Sequence, residues 1–272
     1  MNVSSKALLT GLIDYAGLFP PAGLGMAEAA AEYARALKSP FGFAVGRFVV
    51  PAGRLAELAE AAPKQGESWR LSVLVEDPGR APAAGRFVID AVETKALDAG
   101  VDASGRMVFV EMPAEFAGAL DGLARRPGMR AKIRTGGLTA EAFPTVEWVA
   151  SFLVRAAVLG GSFKATAGLH HPVRGEYALT YEPGSARAAM HEFLNVFLAA
   201  ACAWFGQSET AVRRILEERD AGEFRFSDGF VRCCGVSLTS RQVEEARRSF
   251  ALSFGSCSVE EPEQGVRGLG LL

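Results

Sequence analysis

The sequence predicts an α/β fold, a (β/α)8 TIM barrel formed as one domain over residues 1–272, with a helical and hairpin insertion at about residues 172–249. Three observations lead there. Short apolar runs rich in Val, Ile and Phe alternate with longer amphipathic stretches rich in Ala, Leu and Glu, as in successive βα units around a parallel sheet. Eight such runs can be counted, and 272 residues is the length such a barrel takes.

The strands are expected in "GLIDYAGL" near residue 14, "FAVGRFVV" ending at Val50, "RLSVLVE" ending at Glu76 and "RFVIDAVE" ending at Glu93. The remaining four are "RMVFVEM" ending at Met112, "RAKIRT" ending at Thr135, "GSFKATA" ending at Ala167 and "SFALSFGS" ending at Ser256. Between them, "GMAEAAAEYARAL", "GRLAELAEAA" and "PTVEWVASFLVRAAVLG" repeat apolar residues every three or four positions and read as helices. The regular spacing stops at Ala167. In the stretch that follows, "GSARAAMHEFLNVFLAAACAWFG" and "SETAVRRILEERDAG" read as helices, and "EFRFSDGFVRCCG" as a hairpin turning at Ser227-Asp228-Gly229. "TSRQVEEARRSF" reads as a helix opened by a Thr or Ser cap. With no Pro- or Gly-rich linker before the return to a strand at "FALSFGS", this stretch is expected to be an elaborated barrel loop rather than a second domain.

Composition narrows the function classes. A formal net charge of −2 gives no basic field for nucleic acid or an anionic membrane surface, so the expected partner is a small-molecule substrate. No apolar run reaches the roughly 18 residues that span a bilayer, and the start lacks a signal-peptide pattern, so a cytoplasmic location is expected. Cys202, Cys233, Cys234 and Cys257 have no C-x-x-C spacing and are expected to be reduced, with Cys233 and Cys234 on opposite faces of a strand. "MHEFLNVFLAAACAWFG" is apolar on most faces, which suits either a barrel flank or a contact in a homo-oligomer. The one Gly-Gly pair beside a strand, Gly136-Gly137, comes without a G-x-G-x-x-G or P-loop run, and no nucleotide or other cofactor is expected.

The chemistry centres on two cations in strands that should be buried. Residues two apart share a face, so Lys132 pairs with Arg134 and Lys164 with Thr166, each pair close to a strand's carboxyl end, where barrel active sites form. Two ammonium groups on adjacent strands repel, and partial desolvation adds to this, favouring a neutral amine that attacks carbonyls. The plainer alternative is that each lysine pairs with a carboxylate such as Glu111 or Asp90.

"LIDYAGLFPPAG", "FVIDAVE", "MVFVEM", "AKIRTGG", "FKATAG" and "FGSCS" follow one another in the order of similar segments in the deoxyribose-phosphate aldolases, the class I Schiff-base aldolases that this chain distantly resembles. The 32 residues between the lysines (164 minus 132) are close to that family's spacing. The resemblance implies a (β/α)8 lyase with Lys132 as Schiff-base nucleophile, Lys164 as the cation that favours its neutral form, and Asp90 as the carboxylate that moves protons through a water. Arg134 departs from the small polar residue expected there, and its fork of donors suits a carboxylate. The turns that hold phosphate in that family read Ala167-Gly168 and Cys257-Ser258 here, followed in the first case by His170-His171 and Arg174, so a substrate with a carboxylate or hydroxyls is expected, with phosphate at a backbone nest left open beside it.

The expected substrate contacts are therefore Arg134, Thr166, Gly168, His170, His171, Arg174, Glu111 and Ser258. No metal is expected, because adjacent histidines diverge and no H-x-H or H-x-x-x-H spacing exists; His191 reads as a helix-surface or packing residue. Asp14 and Tyr15 are within reach of the mouth, and Glu93 can stand in for Asp90, a choice of register the pattern leaves open. "VEEPEQG" reads as a solvated acidic turn. Two alternatives stay open beside the lyase: an acid–base isomerase or hydrolase using Asp90, Glu111 and His170, and a metabolite-binding barrel without chemistry.

Overall fold

In the computed structural model, which describes residues 1–64, 68–76, 83, 85–96 and 105–272, seven strands lie side by side in chain order. They are β1 (Ile13–Tyr15), β2 (Val45–Pro51), β3 (Arg70–Leu74), β4 (Val88–Thr94), β5 (Met107–Glu111), β6 (Met129–Arg134) and β7 (Phe163–Thr166). An insertion follows, holding the antiparallel hairpin of β8 (Gly175–Ala178) and β9 (Arg187–Met190) and the three-stranded sheet of β10 (Arg225–Phe226), β11 (Phe230–Cys233) and β12 (Val236–Thr239). The chain then returns to β13 (Ala251–Ser256), which pairs in parallel with β7 on one side and β1 on the other and closes the expected eight-stranded barrel.

Helices cover the barrel where the sequence period predicts them. α1 (Val3–Leu9) precedes β1, and α2 (Met26–Lys38) and α3 (Leu55–Ala61) follow β1 and β2. In α2, Met26, Ala29, Ala30 and Tyr33 are buried at helical spacing, with Glu28 in the first turn and Arg35 and Lys38 in the last, matching the helix dipole. α4 (Phe116–Ala124) and α5 (Val146–Val158) flank β6; the Thr145 hydroxyl accepts from the Trp148 amide and fixes where α5 starts. α6 (Phe193–Trp204), α7 (Glu209–Glu217) and α8 (Ser240–Ser249) belong to the insertion, and α9 (Glu260–Gly268) follows the last strand. Thr239 and Gln242 form a reciprocal capping box at α8, as the Thr or Ser cap foretold.

The two faces of β7 explain the burial of a lysine. Phe163 points outward and packs on Phe152 of α5, Phe197 of α6 and Phe250, so the alternation of the strand sends Lys164 and Thr166 into the barrel.

Three local expectations are corrected. The run from Gly184 does not form one helix: Arg187–Met190 is β9, and Glu192, at φ 62, breaks the chain before α6 begins at Phe193. The acidic run after Val259 is α9 rather than a turn, its Glu260, Glu261 and Glu263 sitting at the positive end of the helix dipole. Cys233 ends β11 and Cys234 adopts φ 51, which brings their sulfurs to 3.4 Å instead of opposite faces; both are buried free thiols. The apolar α6 is buried on all faces by the insertion and the barrel, making it a flank. Among the described residues, no helix is long and apolar enough to cross a membrane.

Candidate active site

The strand registers place Glu111, Lys132 and Lys164 at one level: Glu111 is the partner position of Lys132, and Lys132 of Lys164. All three line a cavity of about 1210 Å³ at the carboxyl ends of the strands. Glu93 of β4 reaches in between the lysines. Its Oε1 lies 2.6 Å from Lys164 Nζ and accepts from the Ser72 hydroxyl at 2.7 Å, and its Oε2 lies 2.9 Å from Lys132 Nζ. Glu111 Oε2 stands 3.2 Å from Lys132 Nζ. Lys164 also donates to Asp14 Oδ2 at 2.7 Å, an oxygen that receives the Ser253 hydroxyl at 2.8 Å.

The two lysines differ in exposure, and this separates their settings. Lys164 is 1% exposed, held from both sides, with the Phe109 ring 5.3 Å away. Lys132 is 7% exposed. Burial opposes the charge on Lys164, but Asp14 and then Glu93 outweigh it and raise its pKa above the ordinary value. Burial likewise opposes ionisation of Glu93 and Asp14. For Glu93 the ammoniums of Lys164 and Lys132 win, and for Asp14 Lys164 and Arg47 win, so both carboxyls are held below their ordinary range. The bare repulsion expected between the two ammonium groups is thus relieved by a carboxylate shared between them.

Asp90 is elsewhere. It accepts from Arg47 Nε at 2.6 Å and from Arg70 Nε at 2.7 Å, and it does not line the cavity. The β3–β4 pairing explains why: Leu71 pairs with Ile89 but Ser72 with Ala91, so Asp90 is the extra residue of a bulge. Beyond that bulge Glu93, not Asp90, faces the lysines.

Of the other expected contacts, Arg134, Thr166, Gly168, His170, His171 and Glu111 line the cavity. Arg134 lies one inward position beyond Lys132, exposed, and its guanidinium has no partner among the described residues. Two expected contacts are corrected. Arg174 turns away, its Nη1 3.1 Å from His191 Nδ1 and its amide donating to Asn195 Oδ1 at 2.8 Å. Ser258 accepts the Glu261 amide on its hydroxyl at 3.2 Å, in the turn before α9, and does not line the cavity. His191 is a buried packing residue, its Nε2 2.6 Å from the Pro144 carbonyl, and burial lowers its pKa to about 4. His171 lines the wall with its ring stacked on Tyr177 at 3.8 Å. Among the described residues, no group of three or more potential ligands could hold a metal ion.

Sequence reasoning missed Tyr181 and Glu261, which also line the cavity. Glu261 follows the last strand in "SCSVEEP", a position that could have flagged it. Tyr181 lies in the insertion, where no pattern marked it.

The two glycine turns that mark the strand ends are tied to each other. Thr135 Oγ1 donates to the Ala167 carbonyl at 2.6 Å, and a Cβ built on Gly168, at φ 70, would lie 2.7 Å from Phe143 Cε1 and 3.1 Å from Gly136 Cα. Gly168→Ala is therefore expected to cost about 1–3 kcal/mol, measured by urea denaturation, since it meets a left-handed backbone and a collision together. An unchanged midpoint would mean that the turn relaxes freely.

Comparison of the chain with family models, curated proteins and solved structures finds no match.

Proposed function

We propose that this protein is a carbon–carbon lyase of the Schiff-base type, acting on a small oxo acid or sugar-like carbonyl compound through Lys132. The observation that carries the reading is the asymmetry of the paired lysines: both line the cavity, but Lys164 is 1% exposed and held between the buried Asp14 and Glu93, whereas Lys132 is 7% exposed and has Glu111, itself partly exposed, as its second carboxylate. That second carboxylate gives the amine a route to react. Glu111 takes the proton of the Lys132 ammonium, the freed amine adds to the substrate carbonyl, and the oxygen leaves as water once it has gained two protons. The resulting iminium accepts the electron pair of a breaking C–C or C–H bond. Lys164, held charged, fixes Glu93 in the position that serves Lys132.

The guanidinium of Arg134, without a partner among the described residues and one inward position above Lys132, suits a carboxylate on the substrate and favours oxo acids over neutral aldehydes. The resemblance to the deoxyribose-phosphate aldolases points to the same chemistry. A second reading, acid–base isomerisation or hydrolysis without a covalent intermediate, draws on His170 and Glu261, whose side chains pair across the same cavity.

Reduction with borohydride in the presence of a panel of small aldehydes and oxo acids tests the first reading. The expected result is a mass increase that peptide mapping places on Lys132, larger for oxo acids. If no compound labels Lys132 at any pH between 6 and 9, the Schiff-base reading fails and the second takes its place.

A further inference from the structure

The proposed imine chemistry leaves a proton unaccounted for, the one that must leave the substrate when its bond to the neighbouring carbon breaks. Glu93 and Glu111 are committed to the Lys132 nitrogen. A second set of titratable groups faces the same cavity from a different wall, and nothing in the imine cluster uses it.

His170 follows β7 after two successive left-handed residues, Ala167 at φ 64 and Gly168 at φ 70, which bend the chain so that the imidazole lines the cavity. Its Nδ1 lies 3.0 Å from Glu261 Oε2, in the first turn of α9 after the adjacent strand β13. Tyr181, in the connection between β8 and β9, donates its hydroxyl to the same oxygen at 2.8 Å. Burial opposes ionisation of Glu261, but His170 and the Tyr181 hydroxyl hold its carboxyl below the ordinary value. An ionised Glu261 accepts Nδ1–H, which in the neutral imidazole leaves Nε2 as the nitrogen that can take a proton. Nε2 has no partner among the described residues. A cavity-lining imidazole with one nitrogen oriented by a carboxylate and the other free is the arrangement of a general base.

We infer that His170 is a further catalytic residue, the acid–base that moves protons on the substrate's own carbon and oxygen atoms, with Glu261 and Tyr181 as its positioning residues. The inference rests on the Schiff-base reading. In cleavage, the β-hydroxyl proton of the Lys132 iminium passes to His170 Nε2, the C–O bond becomes a carbonyl, and the C–C electron pair moves into the iminium to give an enamine. The imidazolium, stabilised by Glu261, then protonates the enamine carbon, and water hydrolyses the regenerated iminium. No oxidant or reductant enters. The reverse of the protonation step, removal of an α-hydrogen, exchanges that hydrogen with solvent.

That exchange separates the two roles. Wild type and His170→Asn are incubated in D2O with pyruvate, acetone and propanal, α-deuteration is followed by proton NMR, and borohydride trapping is run in parallel. Support requires that His170→Asn still labels on Lys132 while exchange of the labelling compound slows roughly 10²- to 10⁴-fold. Added imidazole should restore exchange in His170→Gly, a response that a loop-packing role would not produce. Glu261→Gln should lower the exchange kcat about tenfold or more with KM unchanged, without rescue by imidazole. Equal exchange in wild type and His170→Asn, with both labelled, overturns the inference and leaves the imine reading standing. Absence of any label on Lys132 in wild type overturns both.

Discussion

Arginine in place of Lys132 is expected to leave the fold standing while abolishing borohydride labelling at β6 and cutting turnover of the labelling compound on the order of 10⁴- to 10⁶-fold, the scale on which a covalent nucleophile matters. A guanidinium preserves a cation between Glu93 and Glu111, now 2.9 and 3.2 Å from Nζ, but it does not deprotonate and cannot form the imine. Methionine removes the charge as well. Glu93 then keeps Lys164 and Ser72, and Glu111 turns to the cavity, so the cost to stability is about 1–3 kcal/mol rather than the larger cost of an orphaned buried ion. The comparison of the two variants separates chemistry from electrostatics. Loss of turnover in both, with arginine nearly as stable as wild type in urea, assigns Lys132 the nucleophilic role. Retention of a few per cent of turnover in Lys132→Arg would contradict the Schiff-base mechanism and move attention to the His170–Glu261 pair.

How far the site could be read in advance depended on whether alternation held. The eight strands were legible because each is a short β-branched or aromatic run buried on its outer face, and the two lysines were legible because β6 and β7 are regular, so that two-residue periodicity and the pairing of Lys132 with Lys164 agree. Asp90 was misjudged for a local reason. Three positions separate Asp90 from Glu93, and the bulge at Asp90 in the β3–β4 pairing resets which residues beyond it face inward, a change of register that no hydrophobic pattern records. Arg47 and Arg70, which hold Asp90, were invisible for the same reason. The insertion was misread where propensity and tertiary pairing disagree: Ala188 and Ala189 favour a helix, but opposite Glu176 and Tyr177 they form a strand. Tyr181 and Glu261 meet only because that hairpin folds back over the mouth, a contact across 80 residues.

Lys164 is the residue whose loss should cost the fold most. Lys164→Met leaves Asp14 and Glu93, each within 2.7 Å of the missing ammonium, facing one another in a buried interior. Arg47 at 3.5 Å and Lys132 at 2.9 Å compensate them only in part. Removing one partner of a buried pair costs about 3–5 kcal/mol, a large share of the 5–15 kcal/mol that a domain has in total. Between pH 5 and 8 the pH dependence should change from flat to sloped. In the wild type, the depressed Asp14 and Glu93 contribute stability that is present above about pH 4 and lost as pH falls through their folded values. The raised Lys164 contributes stability that is present below about pH 10.4 and lost as pH rises through its folded value, so between these limits the cluster gives a plateau. Without Lys164, one carboxyl is forced to take up a proton on folding, its folded pKa lies above its unfolded one, and stability should rise as pH falls from 8 to 5. Urea denaturation at pH 5, 6, 7 and 8 reads this slope directly. Should Lys164→Met not fold at all, Lys164→Met with Glu93→Gln recovers a folded protein by neutralising the carboxylate that was left unpaired. A loss under about 1 kcal/mol with a flat pH response would mean that water or a rearranged Arg47 replaces the ammonium, and that Lys164 is not what holds Glu93 against Lys132.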